Sequence, residues 1–150
     1  MNTEELSACL TFIREAERLK NVHRSAYTST CKQESTAEHT WRLCLLGMVF
    51  ESDFSGIDFG KLLKICVVHD LGEAISGDIP AVEQVNVPNK SALERADLVS
   101  LLSHLPDPIH AQFLALWDEY ENAASPEARL VKGLDKIETI IQHNQGKNPP

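Results

Sequence analysis

The chain of 150 residues has no C-x-x-C pair, and its four cysteines, Cys9, Cys31, Cys44 and Cys66, stand far apart. Neither a disulfide framework nor a zinc ribbon is supported by such spacing. Three of the four fall in apolar or helical contexts, where a free cysteine serves as a small core residue. Long hydrophobic runs are missing too. Each apolar stretch is broken by Lys or Gly within a few residues, so no membrane span is expected. The acidic start, Met1-Asn2-Thr3-Glu4-Glu5, lacks the basic and apolar regions of a signal peptide, and a cytoplasmic location is expected. No dense Lys/Arg run offsets the net charge of −8, which argues against nucleic acid as a partner. Internal repeats, low-complexity tracts and convincing strand alternation are absent as well.

What is present is the composition of an ordinary soluble globular protein, 43% hydrophobic and 24% charged, sufficient for one domain over residues 1–150 with a sizeable core. Helical periodicity dominates. Leu6, Leu10, Ile13 and the stretch from Ala16 to Leu19 predict a first helix from Thr3 to about Lys20. Asn21 to Gln33 loses the period and reads as a loop carrying His23 and Arg24. Ser35-Thr36-Ala37-Glu38 has the form of a capping box, starting a helix through Trp41, Leu43, Leu45, Leu46, Met48 and Phe50. Asp58 is placed to cap a third helix, Phe59 to about Asp70. Gly77-Asp78-Ile79-Pro80 then breaks the pattern. A fourth helix is expected from Lys90 to about His104 and a fifth from about Ile109 to Glu121. Ser125-Pro126 opens the last, with Val131, Leu134, Ile137 and Ile141 as its apolar residues. The final seven residues read as an exit loop toward further chain. The expected fold is an all-α helical bundle.

One stretch stands out chemically. The apolar run Leu62-Leu63-Lys64-Ile65-Cys66-Val67-Val68 ends in His69-Asp70, with Glu73 following. An inward carboxylate beside an imidazole is costly unless paired or bound to a cation, so His69 and Asp70 read as adjacent ligands of one metal ion. Two residues could complete the set. His39 lies in the first turn of a helix otherwise devoted to apolar packing. Asp135 sits among Val131, Leu134 and Ile137, three residues before Glu138 and therefore on the same helical face. Helices delivering ligands to one point are how bundles build metal sites. Each of these residues alone has an ordinary reading as a surface or core polar group.

Ala37-Glu38-His39-Thr40, His69-Asp70-Leu71-Gly72-Glu73-Ala74, Gly77-Asp78-Ile79-Pro80 and Leu134-Asp135-Lys136-Ile137-Glu138 together resemble the HD-domain metal-dependent phosphohydrolases. Their ordered signature is H…HD…D. Within that superfamily the sequence looks most similar to the branch holding bacterial 5′-deoxynucleotidase and the HD-domain-containing protein 2 family, from about Phe12 to Gln142. Leu116-Trp117-Asp118-Glu119-Tyr120-Glu121 and the stretch from Ser125 to Arg129 fit that branch. The resemblance implies a single HD-domain bundle with one divalent ion (Mn, Co, Fe, Zn, Ni or Mg) held by His39, His69, Asp70 and Asp135. It implies Glu73 as general base or acid, Arg24 on the 5′-phosphate and Asp78 near the sugar. The reaction implied is hydrolysis of (deoxy)nucleoside 5′-monophosphates, with a homodimer as the assembly. Ser25 follows Arg24 where the bacterial enzyme carries Trp, and Tyr27 is the nearest aromatic. Two other readings remain open at this point. A dinuclear phosphodiesterase or oxygenase would recruit His104 and His110, and a non-catalytic HD module would only bind.

Overall fold

Short polar signals start the helices in the computed structural model, which describes residues 1–79 and 88–150. Asn2 caps α1 (Thr3–Ala16) through a reciprocal capping box with Glu5. A 3-10 turn over Glu17–Lys20 extends it, so the predicted first helix is α-helical for most of its length and tightens at the end. Its outward face differs from expectation. Leu6, Leu10 and Ile13 are exposed, and Phe12 is the residue α1 buries.

The stretch expected to be a loop contains a small antiparallel hairpin. Strand β1 (His23–Tyr27) pairs with β2 (Gln33–Ser35), His23 opposite Ser35 and Tyr27 opposite Gln33, with an irregular register between. Five and three residues are too short for alternation to be read from sequence, and the ladder is held by its neighbours rather than by propensity. Beyond its turn β2 runs straight into α2 (Thr36–Val49). There Ser35 accepts from the Glu38 amide while Glu38 accepts from the Ser35 amide, the capping box expected.

Asp58 caps α3 (Phe59–Val68) as expected, but the helix stops two residues early, leaving His69 and Asp70 in the turn that follows. Leu62 and Ile65 are fully buried, each contributing about 1.5–3 kcal/mol of burial. A four-residue α4 (Glu73–Ser76) comes next. Gly77 has φ +87°, the left-handed backbone that glycine adopts without cost. The predicted break is therefore present through Ile79, and Pro80 lies outside the described residues. Helix α5 spans Lys90–Leu102 and α6 Asp107–Glu121, with Pro108 in the first turn of α6. Ser125 caps α7 (Pro126–Gln145), whose buried residues include Val131, Leu134, Glu138 and Gln142. The expected apolar pair Ile137 and Ile141 points outward instead.

Two clusters fill the interior. Phe12, Leu19, Val68, Leu98, Leu101, Leu102 and Trp117 form one. Leu43, Leu62, Ile65, Cys66, Ala128, Val131 and Leu134 form the other. Helix α3 contributes to both, so the turn at its end is anchored from two sides. Gly72 lets α5 come against that turn, since a Cβ there would lie 2.5 Å from the Glu94 carbonyl oxygen. The described cysteines are all free thiols.

Candidate active site

Two long helices and the turn after a third converge on a single point. Helix α2 supplies His39, the turn after α3 supplies His69 and Asp70, and α7 supplies Asp135. His39, His69 and Asp70 each bring one ligand atom to within 4.8 Å of the others. His69 Nε2 lies 3.0 Å from Asp70 Oδ2 and His39 Nε2 lies 3.8 Å from the same oxygen. Asp135 Oδ1 approaches His39 Nε2 at 2.9 Å.

The far side of each imidazole explains which atoms are free. His69 Nδ1 is 2.7 Å from the Cys66 carbonyl oxygen, so it carries the proton and donates. His39 Nδ1 is 2.5 Å from Glu138 Oε2 and donates to it. In these tautomers both Nε2 atoms present lone pairs to the centre. Both, with Asp70 Oδ2, are buried and lack a hydrogen-bond partner, because the short approaches among them do not have hydrogen-bond geometry. Buried lone pairs facing one another are unfavourable without a positive charge between them. A divalent ion fits that donor set, and a carboxylate behind a ligating histidine is the usual support for one.

The acids around the centre call for positive charge, which a proton on His39 supplies when no ion is bound. Burial lowers the pKa of His39, yet the carboxylates of Asp135 and Glu138 outweigh it and raise the imidazole to about 10. Burial raises Asp70, but His69, His39 and Arg24 hold its carboxyl well below the usual range. Tyr120 closes one wall, donating to Asp135 Oδ2 at 3.3 Å and standing edge-on to the His69 ring. Lys132 Nζ caps the tyrosine ring at 4.2 Å.

His69, Asp70, Asp135, Tyr120 and Lys132 line a cavity of about 770 Å³, with His39 buried behind it, and Arg24, Ser25, Glu73, Asp78, Lys90 and Glu94 line it too. Glu73 is buried, and Thr36 Oγ1 donates to its Oε2 at 3.2 Å. Burial, then the charges of Asp70, Asp78 and Glu94, push its carboxyl up to about 9, with Arg24 pulling the other way. Asp78 is raised by burial and opposed by Arg24. The Arg24 guanidinium donates to Thr139 Oγ1 at 3.2 Å and sits 3.7 Å from Asp70 Oδ2 and 3.6 Å from Glu34 Oε2.

All seven residues singled out in the sequence thus meet at this cavity or its floor. His104 and His110 do not. The first is exposed beyond α5, the second is half-buried in α6, and neither lines the cavity. Tyr27 is also outside it, its carbonyl accepting from Gln142 Nε2.

Sequence reasoning missed two buried acids, Glu138 and Glu34. The signal for Glu138 was its place three residues after Asp135. With His39 these acids form a second group of closely spaced ligand atoms. There the positive charge is already provided, by Arg42 Nε at 2.5 Å from Glu138 Oε1 and by Arg24 beside Glu34.

A protein-family model described as HD domain matches residues 16–149. The chain belongs to the HD domain family. Among relatives of this HD domain, the 5′-deoxynucleotidase HDDC2 of Danio rerio is 34% identical over 138 residues, covering 91% of this chain and 68% of that protein. The 5′-deoxynucleotidase hdd1 of Schizosaccharomyces pombe is 36% identical, covering 95% and 74%. A conserved hypothetical protein from Pyrococcus furiosus has a TM-score of 0.71 at 33% identity, over 89% of this chain and 81% of that one. A protein described as a predicted metal-dependent phosphohydrolase from Magnetospirillum magnetotacticum reaches 0.87 at 24% identity, over 95% and 72%, which shows the fold alone. HD domain phosphohydrolases are metal-dependent, and this HD domain carries groups able to hold a metal. Among its described residues no helix is long and apolar enough to cross a membrane.

Proposed function

We propose that this chain is a metal-dependent 5′-nucleotidase that hydrolyses (deoxy)nucleoside 5′-monophosphates to nucleoside and inorganic phosphate. The observation that carries the reading is the set of unpartnered buried lone pairs, His39 Nε2, His69 Nε2 and Asp70 Oδ2, opening on a cavity shared with Arg24 and Glu73. His39, His69, Asp70 and Asp135 are the residues that would hold one divalent ion. Mixed imidazole and carboxylate ligands suit Mn, Co, Fe, Zn or Ni. Relatives named as 5′-deoxynucleotidases over most of this chain's length support the substrate class.

When bound, the ion supplies a more acidic water and neutralises charge on the phosphoryl oxygens. The rest falls to the protein. Arg24 binds the phosphate, its planar fork matching two oxygens at once. Glu73 takes a proton from the attacking water as the new P–O bond forms. The leaving 5′-oxygen, on the opposite side of phosphorus, takes its proton from solvent water as the ester P–O bond breaks. The hydrogen bond from Thr36 orients the Glu73 carboxyl, and positive charge bound beside Asp70 would lower the pKa that burial raises. Asp78, on the cavity wall, accepts from a sugar hydroxyl.

A phosphate-release screen over deoxy- and ribonucleoside 5′-monophosphates, with each candidate metal in turn, tests the reading. Release from deoxynucleotides by the metal-loaded protein, absent in Glu73→Ala, is the expected result. Protein that binds metal but leaves every nucleotide intact would sink it.

A further inference from the structure

The hairpin that presents Arg24 also brings a second charge to it. Glu34 lies on β2, which pairs with the strand β1 that carries Arg24, and its Oε2 is 3.6 Å from Arg24 Nε. Gln33 Nε2 donates to the Arg24 carbonyl at 2.8 Å, which ties the two strands at this point. Glu34 is only 3% exposed, its Oε2 has no hydrogen-bond partner, and it does not line the cavity. Burial and the nearby Glu138 charge raise its pKa, while His39, Arg24 and Arg42 attract the carboxylate and pull the other way.

A buried carboxylate kept out of the substrate cavity and facing one edge of a guanidinium has a geometric consequence. Arg24 has another acid within reach, Asp70 Oδ2 at 3.7 Å, and an arginine drawn fully onto it would turn its fork away from an incoming anion and occupy a candidate ligand. Glu34 pulls on Nε from the other side, while Thr139 takes Nη2. The guanidinium is therefore suspended between three acceptors. Long side chains lose rotamer freedom when they bind, and prior orientation removes that cost from the binding step.

We propose that Glu34 is a positioning residue: it holds the Arg24 guanidinium off Asp70 and aims it at the phosphate of the substrate, setting affinity rather than the chemical step. This rests on the phosphomonoesterase reading above. Uniform binding of this kind appears in KM and leaves kcat in place.

The test is a double-mutant cycle in metal-loaded full-length protein. Glu34→Gln alone is expected to raise KM for a deoxynucleoside 5′-monophosphate about tenfold, with kcat changed less than about twofold, a coupling typical of directly interacting groups. In the Arg24→Gln background the same change should add nothing further. Glu34→Asp, which keeps the charge, should recover part of the loss. Calorimetric binding of inorganic phosphate supplies a readout that needs no turnover, and Glu34→Gln should weaken it by the same factor. An unchanged KM and phosphate affinity in Glu34→Gln would overturn the inference, as would effects that multiply across the two sites. Should the wild-type protein release no phosphate from any nucleotide, the parent reading fails, and the phosphate titration still decides the role of Glu34.

Discussion

Glu138 Oε2 stands 2.5 Å from His39 Nδ1, and its other oxygen stands 2.5 Å from Arg42 Nε. The carboxylate is 1% exposed and joins α7 to α2 at the candidate metal centre. It fixes both the tautomer and the direction of the imidazole. Replacement with Gln keeps the shape and removes the charge. Glu138→Gln should weaken Mn or Co binding by roughly 10- to 100-fold, the usual cost of losing such a support. A metal titration followed by calorimetry measures it, and an unchanged affinity would show that His39 is oriented by packing alone.

Loss of a proposed ligand should act more severely. Asp70→Asn leaves the fold and removes the carboxylate shared by His69 and His39. Metal binding to the folded state raises its melting temperature by mass action. Asp70→Asn protein should show no such rise on adding Mn, and a chelator should lower the wild type to the same value.

Replacing Glu73 is expected to separate binding from chemistry. It sits behind the centre and contacts Thr36 rather than either imidazole. Glu73→Gln should lower kcat by about 10²- to 10⁴-fold, the range for a lost general base or acid. Metal affinity should change little. An equal fall in metal affinity would make Glu73 a ligand instead.

The contact at Gly72 is steric. A Cβ at that position meets the Glu94 carbonyl oxygen at 2.5 Å, a backbone atom that cannot step aside. Gly72→Ala should therefore destabilise the fold by about 1–3 kcal/mol, as overpacking does. Urea unfolding gives the figure. An unaltered midpoint would mean that α5 shifts freely.

Acid stability has an identifiable contributor away from the active site. Glu127 accepts from Lys61 Nζ at 2.8 Å and from the Asp58 amide at 3.0 Å. Those bonds, Lys61 first, lower its carboxyl from 4.5 to about 2. Because the folded value is the lower one, the stabilisation is complete above pH 4.5 and disappears as pH falls toward 2. Unfolding free energy should drop more steeply across that window in the wild type than in Glu127→Gln. Parallel curves would discount the pair.

The parts legible in sequence are those set by local rules. Caps at Ser35, Asp58 and Ser125, the break at Gly77 and the His69-Asp70 pair after an apolar helix all follow from short-range chemistry. His39 and Asp135 became readable only together with that pair. Glu138 was hidden because a carboxylate on a charged helix looks solvated until the fold turns its face inward. The strands flanking Arg24 were hidden because their pairing depends on α2 and α7 packed around them. The faces of α1 and α7 were misread for a related reason: periodicity reports that a helix has two sides, and it is the packing partner that selects one. Ile13 and Ile137 ended outside, Phe12 and Glu138 inside.

The placement of Asp135 and Glu138 on the last helix has a bearing on how the protein comes into being. Synthesis runs from the N-terminus, so His39, His69 and Asp70 leave the ribosome well before α7 does. Until α7 docks, His39 has neither the carboxylate behind it nor the one beside it. A growing chain would therefore hold three of the four proposed ligands, with His39 unsupported. On the proposed ligand set, the docking of α7 would be the step that completes the metal site, joining the last packing step to the readiness for chemistry.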